Sequence, residues 1–378
     1  MQSKLPNVGT SIFAIMSKMA ADHQAINLSQ GFPDFPVSEE LIELIHQGMR
    51  QGMNQYAPMP GLPILREAIA QKLYNTLQIA CNPDTEITVT AGGTQALDAT
   101  FTALVNPGDE VIIFDPAYDS YDPVVRINQG KPVHLQLKTP DFSIDWDEVE
   151  ATVNTNTKAI IINTPHNPSG AVLSNEDMLR LTKIVTENNL YLISDEVYEH
   201  IIFDGLIHNS ALKYPELRAR TIAIYSFGKT FHATGWKTGY MVAPAEITVE
   251  LRKVHQFAIF SANTPIQYGI AKYLEDGDHY SYLSKFYQDK RDTFESLMQQ
   301  TKFTPAPCYG TYFQLYTYEK IAEWHDIKMA EWLAKEHKVA TIPASVFYED
   351  GKHIKYLRFC FAKSTDTMEK AVELLCKI

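Results

Sequence analysis

Between Ser38 and Glu275, short apolar runs of strand type alternate with segments of helical period. No other feature limits the possible folds of this chain as strongly. Alternating strands and helices pack as a largely parallel sheet covered by helices, an α/β architecture. The first helix opens at Ser38, a good N-cap with Glu39 and Glu40 in its first turn, and Gly52 follows its end. Leu62, Leu65, Ile69, Leu73 and Leu77 keep helical spacing. Glu86 to Thr90 reads as a strand running into Ala91-Gly92-Gly93-Thr94-Gln95, which opens a helix ending near Pro107-Gly108. Glu110 to Phe114, Lys158 to Asn163, Leu190 to Ser194 and Thr221 to Tyr225 are further strands. Ser174-x-x-Asp177 has the form of a capping box before the helix that precedes Leu190.

At 378 residues the chain exceeds one ordinary hydrophobic core, so two domains are expected. The boundary falls at Glu275-Asp276-Gly277-Asp278. Residues 36–277 form a large domain with a mostly parallel sheet, and residues 278–378 a smaller α/β domain. Residues 1–35, short of strand signals, form an arm that packs with the smaller one. A net charge of -12 argues against nucleic acid and anionic membranes as main partners. Cys81, Cys308, Cys360 and Cys376 form no C-x-x-C pair, which suits reduced thiols in a cytoplasm. Neither a signal peptide nor a membrane-spanning run is expected. There is no H-E-x-x-H and no metal-ligand cluster, so no metal is expected.

The polar residues that stand out follow strands. Open parallel sheets bind ligands outside the carboxyl ends of their strands, so Thr94, Tyr118, Asn167, Asp195 and Lys229 should converge. Lys229, in Ser226-Phe227-Gly228-Lys229-Thr230, ends a buried strand run. A lysine there is costly to hide unless paired or deprotonated, and a neutral lysine attacks carbonyls. Alone it would more often be a solvated loop lysine. Asp195 in Ser194-Asp195-Glu196 could equally cap a helix, and Asn167-Pro168 is itself a turn signal. Gly92, Gly93 and Thr94 allow close backbone approach and offer helix N–H groups to a phosphate. Arg358, in Leu357-Arg358-Phe359-Cys360-Phe361, lies inside an apolar strand and needs a partner. Either an internal carboxylate or a bidentate substrate carboxylate would serve.

Taken together, from about Phe13 to Arg358, these motifs resemble the fold-type I enzymes that use pyridoxal 5'-phosphate (PLP), and within them the class I aminotransferases. The wording is most similar to bacterial methionine aminotransferases and the kynurenine and glutamine transaminases. The segments carrying that similarity are Asn27 to Phe35, Gln55-Tyr56-Ala57-Pro58, and Ser226 to Tyr240. The resemblance implies that Lys229 holds PLP covalently and, once freed, shuttles a proton, while Asp195 pairs with the pyridine nitrogen. It places Asn167 and Tyr198 at the phenolic oxygen and Tyr118 against the ring. Gly92, Gly93, Thr94, Ser226 and Lys237 fall at the phosphate. Lys237 replaces the arginine of many relatives, so a monodentate contact is expected. Tyr56 matches a tyrosine that reaches the neighbouring subunit's phosphate, which implies a homodimer. Arg358 takes the substrate α-carboxylate, with Gly31 and Asn167 beside it.

Dicarboxylate-specific relatives usually carry a second arginine near Phe257 to Asn263, and this chain has none there. Phe13 and Phe260 instead match residues of an apolar side-chain pocket. The implied reaction moves the amino group of methionine or an aromatic amino acid to a 2-oxo acid. On the same fold, a C–S β-lyase is the alternative. In a different class, Ser226-x-x-Lys229 with Lys237-Thr238-Gly239 fits a serine hydrolase pattern. Against that stand the eight-residue spacing, the preceding strand and the lack of an S-D-N triplet. A P-loop fails because Ala223 stands where its first glycine belongs.

Overall fold

The computed structural model describes residues 2–275 and 277–378, so position 276 of the expected domain boundary lies outside the described residues. The chain opens with helix α1 (Ile12–Asp22), whose N-cap Ser11 accepts the Phe13 N–H at 3.4 Å. A two-residue strand, β1 (Ile26–Asn27), follows. Helix α2 (Glu39–Arg50) is capped by Ser38, carries Glu39 and Glu40 in its first turn, and is followed by Gly52 at φ +88°. Helix α3 (Pro63–Leu77) buries Leu65, Ile69, Leu73 and Leu77. Pro63 is pre-set for a first turn, so Leu62 stands just outside the helix as its N-cap.

Seven strands build the main sheet: β2 (Ile87–Thr90), β3 (Glu110–Asp115), β4 (Lys131–Gln136), β5 (Thr157–Asn163), β6 (Tyr191–Asp195), β7 (Thr221–Ser226) and β8 (Gly239–Val242). Their order is β2-β8-β7-β6-β5-β3-β4. Only β8 runs against its neighbours. Six carboxyl ends therefore share one edge, and the reversed β8 starts at that same edge. β4 and β8 were not apparent in the sequence. β4 is an edge strand, half exposed and carrying Pro132, so its apolar signal is weak. β8 is fully buried but has only Tyr240, Met241 and Val242 after a glycine. Helix α4 (Gly92–Leu104) starts two residues after β2, with Ala91 at its N-cap. The capping box is present: Ser174 and Asp177 bond reciprocally at the start of the helix Asn175–Glu187.

The remaining strands are β9 (Thr304–Pro305), β10 (Phe313–Thr317), β11 (Val339–Ala340), β12 (Ile342–Pro343) and β13 (Tyr356–Cys360). Four of them form an antiparallel sheet in the order β12-β13-β10-β9. β1 pairs in parallel with β11, so the N-terminal arm does contribute a strand. Two residues are too few to show a period in sequence. Met16, Ala20 and Leu28 share one hydrophobic cluster with Leu333, Val339, Phe359 and Met368. That burial holds the arm beside β13 and its Arg358. Among the described residues, no helix is long and apolar enough to cross a membrane.

Candidate active site

At the shared strand edge lies a cavity of about 330 Å³. Thr94, Tyr118, Asn167, Asp195 and Lys229 all line it, as the strand-end rule required. Phe13, Gly31, Gly92, Gly93, Tyr198, Ser226, Lys237 and Arg358 line it as well. Two residues lie elsewhere. Tyr56 is 81% exposed and packs edge-on against Phe260 with ring centroids 5.1 Å apart. Phe260 is 51% exposed, so it is not part of this chain's own cavity. Both stand on the outer surface, where a cavity-facing role needs a second subunit.

Lys229 sits in a single helical turn, Phe227–Thr230, directly after β7. Burial and, next, the Arg358 charge lower its amine to about 8. Its Nζ donates to Tyr312 Oη at 2.8 Å rather than to Ser226, and Tyr312 Oη donates to the Gly31 carbonyl at 2.7 Å. The S-x-x-K arrangement is thus present in sequence without the contact it would need. Asp195 is the last residue of β6 and only 4% exposed. Burial raises its carboxyl to about 6, opposed by the Tyr121 hydroxyl, which donates to Oδ2 at 2.6 Å. Asn163 braces the neighbourhood. Its Nδ2 donates to the Asp195 carbonyl at 2.9 Å, and its Oδ1 accepts the Asn167 N–H at 2.8 Å.

One wall is built for an anion. Ala91 gives α4 no side-chain cap, so its first N–H groups are not satisfied in that way. Gly92, at φ +79°, places backbone against Lys237, whose Cε would lie 3.6 Å from an added Cβ. At Gly239 a Cβ would stand 2.5 Å from the Tyr225 carbonyl oxygen. Only glycine lets β7, β8 and the start of α4 approach this closely. The uncapped helix start, Ser226 and Lys237 line the same wall of the cavity, a donor set that suits an anion such as phosphate. With the Asp195 carboxylate and the Lys229 amine in the same cavity, these residues fit PLP: an anion receptor, an acid for the ring nitrogen and an amine for the carbonyl.

Arg358 lies on β13 and is 1% exposed. Its Nη1 donates to Asn167 Oδ1 and its Nη2 to the Ser29 carbonyl, each at 2.8 Å. Among the described residues its Nε has no partner and its bonded acceptors are both neutral, so the guanidinium makes no ion pair. The internal carboxylate left open by the sequence is therefore not its partner. The guanidinium lies 3.8 Å from the Phe313 ring centroid, with the Phe13 and Phe347 rings at 5.2 and 5.3 Å. Burial lowers its pKa to about 10, so the charge persists at neutral pH without a counter-ion. Gly31 permits this packing, since a Cβ there would fall 2.3 Å from Phe313 Cζ.

Tyr121, Asn163, Tyr312 and Phe313 join the site from outside the motifs that the sequence makes conspicuous. Tyr121 follows Tyr118 by three residues, and Asn163 is a lone polar residue ending an apolar strand, which are usable signals. Tyr312 and Phe313 stand in an aromatic run that reads as core.

Comparison with known proteins fits this geometry. The sequence profile described as aminotransferase class I and II matches residues 23–375. The methionine aminotransferase of Escherichia coli K12 is 48% identical over 375 residues, covering 99% of this chain and 97% of that protein. A crystal structure of the E. coli enzyme, for which a methionine aminotransferase function was identified, superposes with a TM-score of 0.97 at 47% identity, covering 100% of this chain and 99% of that one. The N-succinyldiaminopimelate aminotransferase structure from Mycobacterium tuberculosis gives a TM-score of 0.96 at 34% identity, covering 100% and 99%. Human kynurenine–oxoglutarate transaminase 3 is 32% identical over 406 residues, covering 98% of this chain and 89% of that protein.

Proposed function

The chain belongs to the class I and II aminotransferases, which makes it a PLP-dependent transaminase acting on amino acids and 2-oxo acids, and we propose that its amino donors are methionine and aromatic amino acids. One observation carries the reading. The Lys229 amine, the Asp195 carboxylate and the Arg358 guanidinium, which makes no ion pair among the described residues, line one cavity beside an uncapped helix start.

When bound, PLP supplies a carbonyl that takes up an amino group and a ring that accepts the electrons of a breaking Cα–H bond. We assign the rest to this chain's residues. Gly92, Gly93, Thr94, Ser226 and Lys237 would hold the phosphate, Asn167 and Tyr198 the phenolic oxygen, and Tyr118 the ring face. Asp195 would keep a proton at the ring nitrogen, which in turn restores its own ionised form. Lys229 would take the Cα proton and return it one carbon away. An amine near 8 is basic enough to accept a proton yet partly neutral at neutral pH. Arg358 would bind the α-carboxylate through its planar fork, with Gly31 and Asn167 alongside.

Specificity follows from what surrounds that arginine. Phe13, Phe313 and Phe347 bound the carboxylate site, and residues 257–263 contain no arginine. A second substrate carboxylate would enter unpaired, at a cost of several kcal/mol. A methionine or aromatic side chain gains roughly 1.5–3 kcal/mol from burial instead. The exposed Tyr56, Phe257 and Phe260 support a homodimer in which these residues face the neighbouring subunit's cavity. We take residues 36–277 as the cofactor-binding domain, with 278–378 and the arm 1–35 as the smaller unit, and a cytoplasmic enzyme with free thiols. The measurement is kcat/KM for methionine and for aspartate, with the 2-oxo product identified. Methionine should exceed aspartate, and a ratio at or below one overturns the assignment.

A further inference from the structure

Lys229 does not hang free in its cavity. Its Nζ donates to Tyr312 Oη at 2.8 Å, and that hydroxyl spends its only proton on the Gly31 carbonyl at 2.7 Å. The phenol therefore has only lone pairs to offer the amine. A neutral amine held this way must donate an N–H to Tyr312, which keeps its own lone pair out of that bond and free for a proton. Tyr312 is fully buried, and its ring meets Tyr198 edge-on at 5.3 Å. Neither group can swing without disturbing the other.

The anchor has a second user. The Gly31 carbonyl is two residues from the Ser29 carbonyl, which accepts Nη2 of Arg358 at 2.8 Å. One short stretch of the N-terminal arm thus holds both the amine and the carboxylate-binding guanidinium. The other groups facing Lys229 are charged or ionisable from several elements. Arg358 and Lys237 oppose an ammonium and Asp195 favours it, while Cys360, whose thiol burial pushes up, faces it uncharged at neutral pH. Tyr312 adds an acceptor without adding a charge.

We propose that Tyr312 is the positioning residue of the Lys229 amine, tying its aim to the Ser29–Gly31 segment that also holds Arg358. This rests on reading Lys229 as the proton-transferring base. A phenol oxygen that accepts from the amine favours its protonated form, so losing it should make Lys229 less basic.

Tyr312→Phe tests this, with Tyr287→Phe as the control. Tyr287 packs against Tyr312 at 5.6 Å, and its buried hydroxyl has no partner among the described residues. Acylation of Lys229 is followed against pH by mass spectrometry in the full chain stripped of cofactor. Tyr312→Phe should lower the labelling midpoint by about half a pH unit or more. In the holoenzyme it should lower kcat about tenfold with KM within about threefold, and raise the α-deuterium isotope effect. Tyr287→Phe should change none of these. Tyr312→Met serves the same comparison if Tyr312→Phe does not fold. An unshifted labelling midpoint, or equal shifts in the control, overturns the inference. If labelling shifts but the wild type transaminates neither methionine nor phenylalanine, the donor assignment falls and the inference stands. If the wild type transaminates and labelling does not move, the inference alone falls.

Discussion

Arg358→Lys keeps the positive charge and removes the fork. The guanidinium makes two 2.8 Å bonds, to Asn167 Oδ1 and the Ser29 carbonyl, and its Cζ lies over the Phe313 ring, 3.8 Å from the centroid. An ammonium cannot serve both of these acceptors and a planar carboxylate at once, and it has no flat face to stack. Truncating one partner of a desolvated charged pair costs about 2–5 kcal/mol, or roughly 30- to 5,000-fold. Lysine retains the charge, so the loss in kcat/KM for methionine should fall at the lower end, about 30- to 300-fold. The α-carboxylate is held alike before and during proton transfer, so most of the loss should appear in KM. Steady-state kinetics with methionine and with methioninamide isolate the contact, because the amide has no carboxylate to lose. Against the amide, wild type and variant should agree within about threefold. An equal penalty on both donors would refute the carboxylate assignment. So would a variant within about fivefold of wild type on methionine.

Lys229→Ala should bind PLP without a covalent link and lose turnover, and borohydride should tag Lys229 in the wild type only. Covalent tagging of another lysine contradicts the assignment. Asp195→Asn should lower turnover at least about a hundredfold. In cofactor-free protein the Asp195 carboxyl sits near 6 against an ordinary 3.8, so the native state binds its proton more tightly than the unfolded chain. Wild-type stability should therefore fall relative to Asp195→Asn as pH rises from about 4 to 7, and a constant difference in melting temperature would exclude this. Mixing inactive Tyr56→Ala and Lys229→Ala proteins should regenerate activity through hybrid sites. None after verified subunit exchange argues against a shared site.

What the sequence disclosed and what it hid differ in physical kind. Strands β3, β5, β6 and β7 are buried apolar runs long enough to identify, and each ends at or shortly before a residue that lines the cavity. Direction in a parallel sheet then places Asp195 and Lys229 together without any contact being known. Local chemistry was equally legible: the Ser174–Asp177 cap and the glycines at 92 and 93 act within a turn of themselves. β4 escaped because an edge strand can be half exposed, and β1 because two residues carry no period. The partners that tune the site lie far apart along the chain. Tyr121 meets Asp195 across 74 residues, and Tyr312 meets Gly31 across 281. Tyr121 has only its spacing from Tyr118 to mark it, and Tyr312 does not differ in local pattern from tyrosines that fill the core, such as Tyr287. Only its proton's destination sets Tyr312 apart, and that depends on how the arm and the small sheet meet. The placement of the Lys229 amine can thus be read from a strand end, while its basicity and aim are properties of the assembled fold.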